Sequence, residues 1–294
     1  MGTLRAYLQL VRLPAVFTAM ADIFLGYLLT HSNLAAPADF VRLLLASSSL
    51  YASGMVLNDV FDRNVDGKER PHRPIPSGSV PLPVAVVLGA LLMGVGIAVA
   101  ASVSRQSLII ALLLAACILG YDALLKRTVL GPLIMGGCRF LNIMLGASQG
   151  FFVWARPQLL VAPALGIYIA GVTWFARTEA RVSSRAMLAA AVAVLNVGLA
   201  GLIGFVLYWN GEAPKSAAIA LLVIVAVSIH RRAIPALLHP LPERVQPAIG
   251  TMLLSLVMLD AAIVYFKTGS WGFGLATAAL LVPSLLMRRW INMT

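Results

Sequence analysis

Charged side chains are scarce in this sequence. Asp, Glu, Lys and Arg make up 11% of its 294 residues, whereas roughly a quarter of a soluble globular domain is charged. Hydrophobic residues account for 60% of the chain, and the mean hydropathy is +0.91. Because apolar runs recur from end to end, no stretch remains for a soluble domain. We expect a single integral membrane domain over residues 1–294.

Cysteine and histidine are also rare, with two and four residues. Both cysteines fall in apolar segments, which predicts buried free thiols rather than a disulfide. No histidine pair has metal-ligand spacing, and no Ser-His-Asp set, Gly-rich phosphate loop or zinc motif occurs. The first apolar segment lacks an A-x-A-type exit, so we expect no cleavable signal peptide. These absences exclude the common soluble hydrolase and nucleotide-binding classes.

Ten apolar segments approach the roughly 20 residues that cross a bilayer core. They predict an all-α, polytopic transmembrane helical bundle of nine to ten spans. The eighth segment is short, and a Thr-Gly-Ser turn alone separates the last two. The segments lie near 10–30, 43–61, 82–103, 107–125, 130–154, 158–178, 186–209, 216–230, 248–267 and 270–287.

The basic residues predict the orientation. With the N-terminus in the cytoplasm, sixteen of the 22 Lys and Arg residues fall on the inner side, five fall outside, and Arg139 lies within a span. Such a bias is typical of plasma-membrane proteins of bacteria or archaea. It predicts that both termini and the longer polar loops are cytoplasmic. It also explains the net charge of +11 without nucleic acid, which we do not expect as a partner.

Acidic residues concentrate in NDVFDRNVDGKERPHRPIPSG, where the second span ends. Asn58, Asp62 and Asp66 recur every four residues, so a helix would place them on one face, with Asp59 one residue round from it. Carboxylates this close to lipid repel one another. Mg²⁺ prefers oxygen ligands from one or two carboxylates together with substrate phosphates. These four residues are therefore the candidate Mg²⁺ ligands.

Cationic residues follow directly: Lys68, Arg70, His72 and Arg73, interrupted by prolines that end the helix. Arginine suits bidentate recognition of phosphate oxygens. Acids, metal and arginines together describe a diphosphate site. The alternative is a solvated loop with arginines placed by membrane orientation, but the acids at helical spacing favour the site.

The stretch NDVFDRNVD resembles the N-D-x-x-D-x-x-x-D motif of the UbiA superfamily of intramembrane prenyltransferases, and RPHRPIPSG resembles its continuation. YDALLKR is similar to the family's Y-x-x-x-(L)-K-R element, and RLPAVFTAMAD to its N-terminal opening. The similarity in span pattern covers nearly the whole chain. It implies a UbiA-like bundle whose central cavity opens to the cytoplasmic face and laterally to lipid.

The resemblance implies that Asn58, Asp62 and Asp66 hold Mg²⁺ against a prenyl diphosphate. The reaction would ionise the C–O bond and pass the allylic cation to a small polar or aromatic acceptor. Metal and cations would stabilise the leaving diphosphate, and a dry tunnel would protect the carbocation. The residues implied to steady the diphosphate are Arg70, Arg73, Lys126 and Arg127. The catalytic candidates are Asp62, Asp66 and Lys126.

The second acidic motif of the family, D-x-x-x-D after the sixth span, is altered here. The loop reads TWFARTEARVSSR and puts Ala176 and Ala180 at the aspartate positions, which leaves Glu179 as its one acid. This predicts a poor second metal site. Either Arg177 and Arg181 bind phosphate oxygens directly, or Glu179 pairs with a neighbouring arginine. The loop is similar to that of a UbiA-like subgroup found in ebo-type gene clusters.

Two acids lie within apolar spans, where a carboxylate is a functional candidate by default. Asp22 either faces the cavity and meets an acceptor hydroxyl or a basic residue, or it forms a hydrogen bond to a neighbouring helix. For Asp260 the sequence favours the second interpretation. Tyr121 and Glu179 join Asp22 as candidates for contact with the acceptor or cavity.

Arg139 and Asn142 lie one helical turn apart in GGCRFLNIMLG. A buried arginine near the inner face could complete the diphosphate clamp, with Asn142 beside it. Alternatively, Arg139 pairs with an acid such as Asp62 or Asp122. The sequence leaves both open.

Two functions fit these features. One is Mg²⁺-dependent prenyl transfer from a prenyl diphosphate to an acceptor in the bilayer. The other is a non-catalytic isoprenoid carrier or flippase on the same scaffold, which the missing aspartate pair supports. A transporter is expected to carry polar residues across the bilayer depth, whereas here most charges gather at the inner face. This favours the enzyme.

Overall fold

The computed structural model describes residues 3–149 and 154–288, which contain helices and no strands. A π-helical turn, Tyr121–Leu125, extends the fifth helix. The helices are α1 Thr3–Leu10, α2 Leu13–Thr30, α3 Pro37–Glu69, α4 Leu82–Ala101, α5 Arg105–Gly120, α6 Gly131–Ala147, α7 Arg156–Ala176, α8 Arg185–Tyr208, α9 Lys215–Leu238, α10 Pro242–Thr268, α11 Trp271–Ala279 and α12 Leu281–Arg288.

Eight helices in the described ranges are long and apolar enough to cross a membrane, namely α2 to α5 and α7 to α10. The other two predicted spans are shorter: α6 has 17 residues, and the last segment is divided into α11 and α12. The eighth segment is longer than predicted because α9 continues through Arg231 and Arg232. Hydropathy marks where the chain is apolar, but a helix continues for as long as its backbone bonds are made.

Successive long helices run antiparallel, so that one end of the bundle carries the loops 70–81, 126–130, 177–184 and 239–241. We call it the motif end. Helices α2, α7 and α10 are the most enclosed, whereas α4, α5 and α9 keep most of their surface outside the bundle. With 33 residues, α3 is about 50 Å long, longer than the roughly 30 Å hydrocarbon core. It therefore carries the acidic motif beyond the apolar zone without a break.

Glycines bring α2 and α6 into backbone contact. A Cβ atom on Gly26 would collide with the carbonyl oxygen of Ile143, and one on Gly146 would lie 2.8 Å from the carbonyl oxygen of Ile23. Small residues at such a crossing let membrane helices approach closely. The approach brings the polar side chains of α2 and α6 within hydrogen-bond distance of one another.

We predict that Gly26→Ala destabilises the bundle by about 1–3 kcal/mol, because the colliding atoms belong to backbone and must be pushed apart. Thermal unfolding of the purified protein in detergent measures the change. Gly94→Ala in α4 is the matched control, since its Cβ would meet nothing within 4 Å. Equal melting temperatures for the two variants would contradict the close crossing.

Candidate functional site

The acidic motif, residues 58–66, occupies the last turns of α3 and divides between two faces. Asn58 and Asp62 point toward the π-helical turn, whereas Asp59 and Asp66 share one arginine, Arg73. The three predicted ligands Asn58, Asp62 and Asp66 therefore have different partners, although they span only about 80° of the helix surface. At 3.6 residues per turn each four-residue step drifts by about 40°, so Asp66 ends within about 20° of Asp59.

On the first face, the π-helical turn and the two residues directly after it supply the partners. Asn58 Nδ2 donates to Asp122 Oδ1 at 2.7 Å, and Lys126 Nζ lies 2.7 Å from Asp62 Oδ1. Arg127 is exposed and reaches the same oxygen at 3.5 Å. The sequence did not predict Asp122 as the partner of Asn58. A π-helical turn shifts the side chains that follow it, and such turns are frequent at functional sites.

Tyr121 opens this turn, and its carbonyl oxygen accepts the backbone N–H of Lys126 at 2.9 Å. Its side chain is half-buried. A cavity of about 180 Å³ lies beside the turn and is lined by Phe61, Asp122, Lys126 and Arg127 among others. Polar and charged groups of the motif end are therefore accessible from this side.

On the second face, two arginines hold the carboxylates. Arg73 Nη1 donates to Asp66 Oδ2 at 2.7 Å and to Asp59 Oδ1 at 3.3 Å. Arg12 Nη2 donates to the same oxygen of Asp59 at 3.2 Å. Asp59, a predicted metal ligand, thus has two cationic partners, as Asp62 does on the first face.

The sequence reasoning did not single out Arg12. It lies between α1 and α2 with φ 47° and ψ 51°, and it is the one non-glycine residue of the described ranges with a positive φ. Burial, the largest single influence, lowers the pKa of its guanidinium, but the surrounding groups, Asp59 first among them, together raise the pKa above its ordinary value. Strained backbone that aims a charged group is common at functional sites. The one sequence signal that could have pointed to Arg12 was the similarity of RLPAVFTAMAD, which begins at this residue, to the N-terminal opening of the family.

The loop 177–184 is tied to the motif end through Glu179, which lies 3.2 Å from Arg70 Nη2. In the structure, Glu179 therefore pairs with an arginine, which was one of the two alternatives for this loop. Arg177 Nη2 donates to the carbonyl oxygen of Arg127 at 2.8 Å, and Arg181 is exposed. Within residues 3–149 and 154–288, no group of three His, Cys, Asp or Glu side chains has metal-binding geometry.

Arg139 and Asn142 lie away from the motif end. Arg139 Nη1 donates to Asp22 Oδ2 at 2.6 Å, and Asn142 Nδ2 donates to the same oxygen at 2.7 Å. Arg139 thus pairs with an acid, as one alternative predicted, but the acid is Asp22 and not Asp62 or Asp122. Arg139 lies too deep in the bundle to reach those two acids, because it is eight residues, or about 12 Å, along α6 from the end of the helix nearest the motif end.

A second cavity, of about 350 Å³, lies between α5 and α6 rather than at the centre of the bundle. Its lining is apolar and includes Leu113, Cys117, Ile134 and Leu141. Cys117 and Cys138 are both free, as predicted, but they are half-buried and not fully buried. The π-helical turn separates this apolar space from the polar cavity, since Leu125 lines one and Lys126 the other.

This chain is similar in sequence to known proteins. The model of the UbiA prenyltransferase family matches residues 19–233. The digeranylgeranylglyceryl phosphate synthase of Metallosphaera sedula is 33% identical over 141 residues, 48% of this chain and 50% of that protein. The synthase of Sulfurisphaera tokodaii is 29% identical over 172 residues, 58% of this chain and 62% of that protein. The chain thus spans about half to three fifths of the relatives it matches.

Solved structures share the fold. A UbiA homologue from Aeropyrum pernix K1 superposes with a TM-score of 0.71 at 20% identity, covering 85% of this chain and 96% of its own. A homologue from Archaeoglobus fulgidus bound to GPP and Mg²⁺ gives 0.64 at 16% identity, covering 93% and 99%. The predicted all-α, UbiA-like membrane bundle is confirmed. With the family match over most of its length, the chain belongs to the UbiA prenyltransferase family.

Proposed function

We propose that this protein is a Mg²⁺-dependent prenyltransferase that moves a prenyl group from a prenyl diphosphate to a small polar or aromatic acceptor in the membrane. The observation that carries the proposal is the convergence of four cations on the acidic motif. The names of the curated relatives support prenyl transfer, and GPP and Mg²⁺ in the Archaeoglobus homologue support the donor class.

The acids of the motif fit Mg²⁺. The cations contact one oxygen of each carboxylate, Oδ1 of Asp62 and Oδ2 of Asp66, and Asn58 donates through Nδ2, so its amide oxygen remains an acceptor. Asp62, Asp66 and Asn58 would hold the ion, with water and phosphate oxygens as its other ligands. When bound, Mg²⁺ supplies charge neutralisation of the diphosphate.

The cations of the site have a matching role. Arg73 and Lys126 neutralise carboxylates at 2.7 Å, and the same N–H groups can donate to phosphate oxygens. The C–O bond of the donor breaks with its electron pair on the diphosphate. The acceptor gives an electron pair to the allylic carbon and loses a proton. Apolar walls keep water away from the allylic carbocation until the acceptor has reacted with it.

The bias of basic residues supports a cytoplasmic motif end, with both termini on that side of a bacterial or archaeal plasma membrane. One observation favours a second candidate, a non-catalytic isoprenoid carrier. The loop 177–184 offers one carboxylate, Glu179, and Arg70 already holds it. Binding of a prenyl diphosphate without release of diphosphate distinguishes the carrier from the enzyme.

We predict that Asp62→Ala and Asp66→Ala each lower diphosphate release by at least about 100-fold, the scale of losing a major electrostatic contact to the reacting group. Purified protein in nanodiscs, with Mg²⁺ and labelled geranyl to geranylgeranyl diphosphates, provides the assay. Asp39→Ala is the matched control, since Asp39 lies at the opposite end of α3 and pairs with Arg42. Release that persists in both variants would refute the enzymatic proposal, and saturable binding without release would favour the carrier.

We predict that Glu179→Gln changes the Mg²⁺ concentration for half-maximal release by less than about threefold. The reason is that Glu179 neutralises a partly exposed arginine, and such pairs contribute roughly 1 kcal/mol or less. Titration of release against Mg²⁺ measures the effect. A shift of tenfold or more would mean that Glu179 binds metal.

A further inference from the structure

Asp122 is a buried acid to which the proposed reaction assigns no role. It keeps 4% of its surface exposed and lines the polar cavity beside the π-helical turn. The nearby acids Asp59, Asp62 and Asp66 each pair with an arginine or a lysine. Among the described residues Asp122 forms no such ion pair, and its hydrogen-bond partner is the side-chain amide of Asn58. The carboxyl group of Asp122 therefore does something other than neutralise a cation.

Helix α3 and the π-helical turn meet in matching register. Both α3 and α5 run toward the motif end, so α3 and the turn that extends α5 are parallel. Asn58 contacts Asp122. Four residues further along each segment, Asp62 contacts Lys126. The turn and the residue directly after it thus supply one partner to each of two predicted Mg²⁺ ligands.

The contact with Asp122 fixes the orientation of the Asn58 amide. Asn58 Nδ2 donates to Asp122 Oδ1 at 2.7 Å. A carboxylate only accepts hydrogen bonds, so the NH₂ group of an amide must face it and the amide oxygen must face away. Asn58 is partly exposed, and its Oδ1 is not one of the buried side-chain atoms that lack a partner. The oxygen atom, which is the kind of atom that Mg²⁺ binds, is therefore accessible.

We propose that Asp122 is a positioning residue that holds the Asn58 amide with its oxygen available to Mg²⁺. This inference rests on the proposed function. Without an acceptor at position 122, the amide would be free to rotate and to direct its N–H groups at the cation, which repels them. Partners that orient the ligands of a metal typically contribute about 10- to 100-fold to its affinity.

Two other roles for Asp122 make different demands on the side chain. A direct ligand of the metal would need the negative charge, whereas orientation of an amide needs an acceptor oxygen. A tie between α3 and the π-helical turn would support folding, but its loss would not act through Asn58. Asparagine at position 122 separates the first two roles, because it keeps a carbonyl oxygen and loses the charge.

Binding of Mn²⁺ measures the effect without turnover. Mn²⁺ takes the same oxygen ligands as Mg²⁺, and its EPR signal reports the bound fraction. Purified protein in nanodiscs receives the thiolo analogue of geranyl diphosphate, in which sulfur replaces the ester oxygen and slows ionisation. We expect Asp122→Leu to raise the Kd for Mn²⁺ at least about tenfold, and Asp122→Asn to raise it less than about threefold. Asp39→Leu, at the opposite end of α3, is the matched control.

A double-mutant cycle tests whether Asp122 acts through Asn58. In an Asn58→Ala background there is no amide to orient, so adding Asp122→Leu should change the Kd by less than about twofold, whereas independent effects would multiply. Melting temperatures in detergent show whether each variant is folded. If leucine prevents folding, the smaller Asp122→Ala takes its place in both measurements.

Equal losses of Mn²⁺ affinity in Asp122→Leu and Asp122→Asn would overturn the inference, because the charge of Asp122 would then matter rather than its acceptor oxygen. So would a loss in Asp122→Leu no larger than in Asp39→Leu, or an undiminished loss in the Asn58→Ala background. Absence of diphosphate release from wild-type protein given geranyl diphosphate and Mg²⁺ would instead contradict the proposed function, so the two failures are distinguishable.

Discussion

A carboxylate at the edge of a membrane requires a counter-charge, and this requirement organises the motif end. Asp59, Asp62 and Asp66 stand on one helix, but their cations come from the junction of α1 and α2, the loop after α3 and the π-helical turn. Each ion pair therefore ties α3 to a different part of the chain. Because the like charges are dispersed among these cations, the acids can lie close together without a metal. A ligand that carries both Mg²⁺ and phosphate matches this alternation of charge.

Hydropathy predicted the helices well because crossing a bilayer demands apolar residues over a set length. Contacts between helices were harder to predict, since they depend on rotation and depth, which a single sequence does not provide. The positions of Asn58, Asp62 and Asp66 were known, yet a drift of about 40° per four residues placed Asp66 with Asp59. The partner of Arg139 was missed for the same reason. The glycine contact of α2 with α6 brings it to Asp22.

Arg12 illustrates a different gap in what the sequence reveals. Nothing in its neighbours demands a positive φ, and arginine pays a steric cost in the left-handed region. The conformation follows from tertiary structure. Leu10 and Ala6 of α1 are buried with Val56 and Val60 of α3, so the chain must turn sharply before α2 descends. The turn directs the Arg12 guanidinium to Asp59, and this aim is visible only once both helices are placed.

Depth separates the polar groups of the bundle into two sets, and this bears on the choice between enzyme and carrier. A carrier needs polar positions graded along a path, so that a charged head group always has a partner as it moves. Here most charges gather at the motif end, a smaller set surrounds Asp22, and Tyr51 of α3 lies within electrostatic reach of Arg12 in the first set and Arg139 in the second. A diphosphate leaving the first set would lose its cations before it reached Arg139, the single cation of the second. A cluster of charge fixed at one depth suits a substrate that is held in place while it reacts.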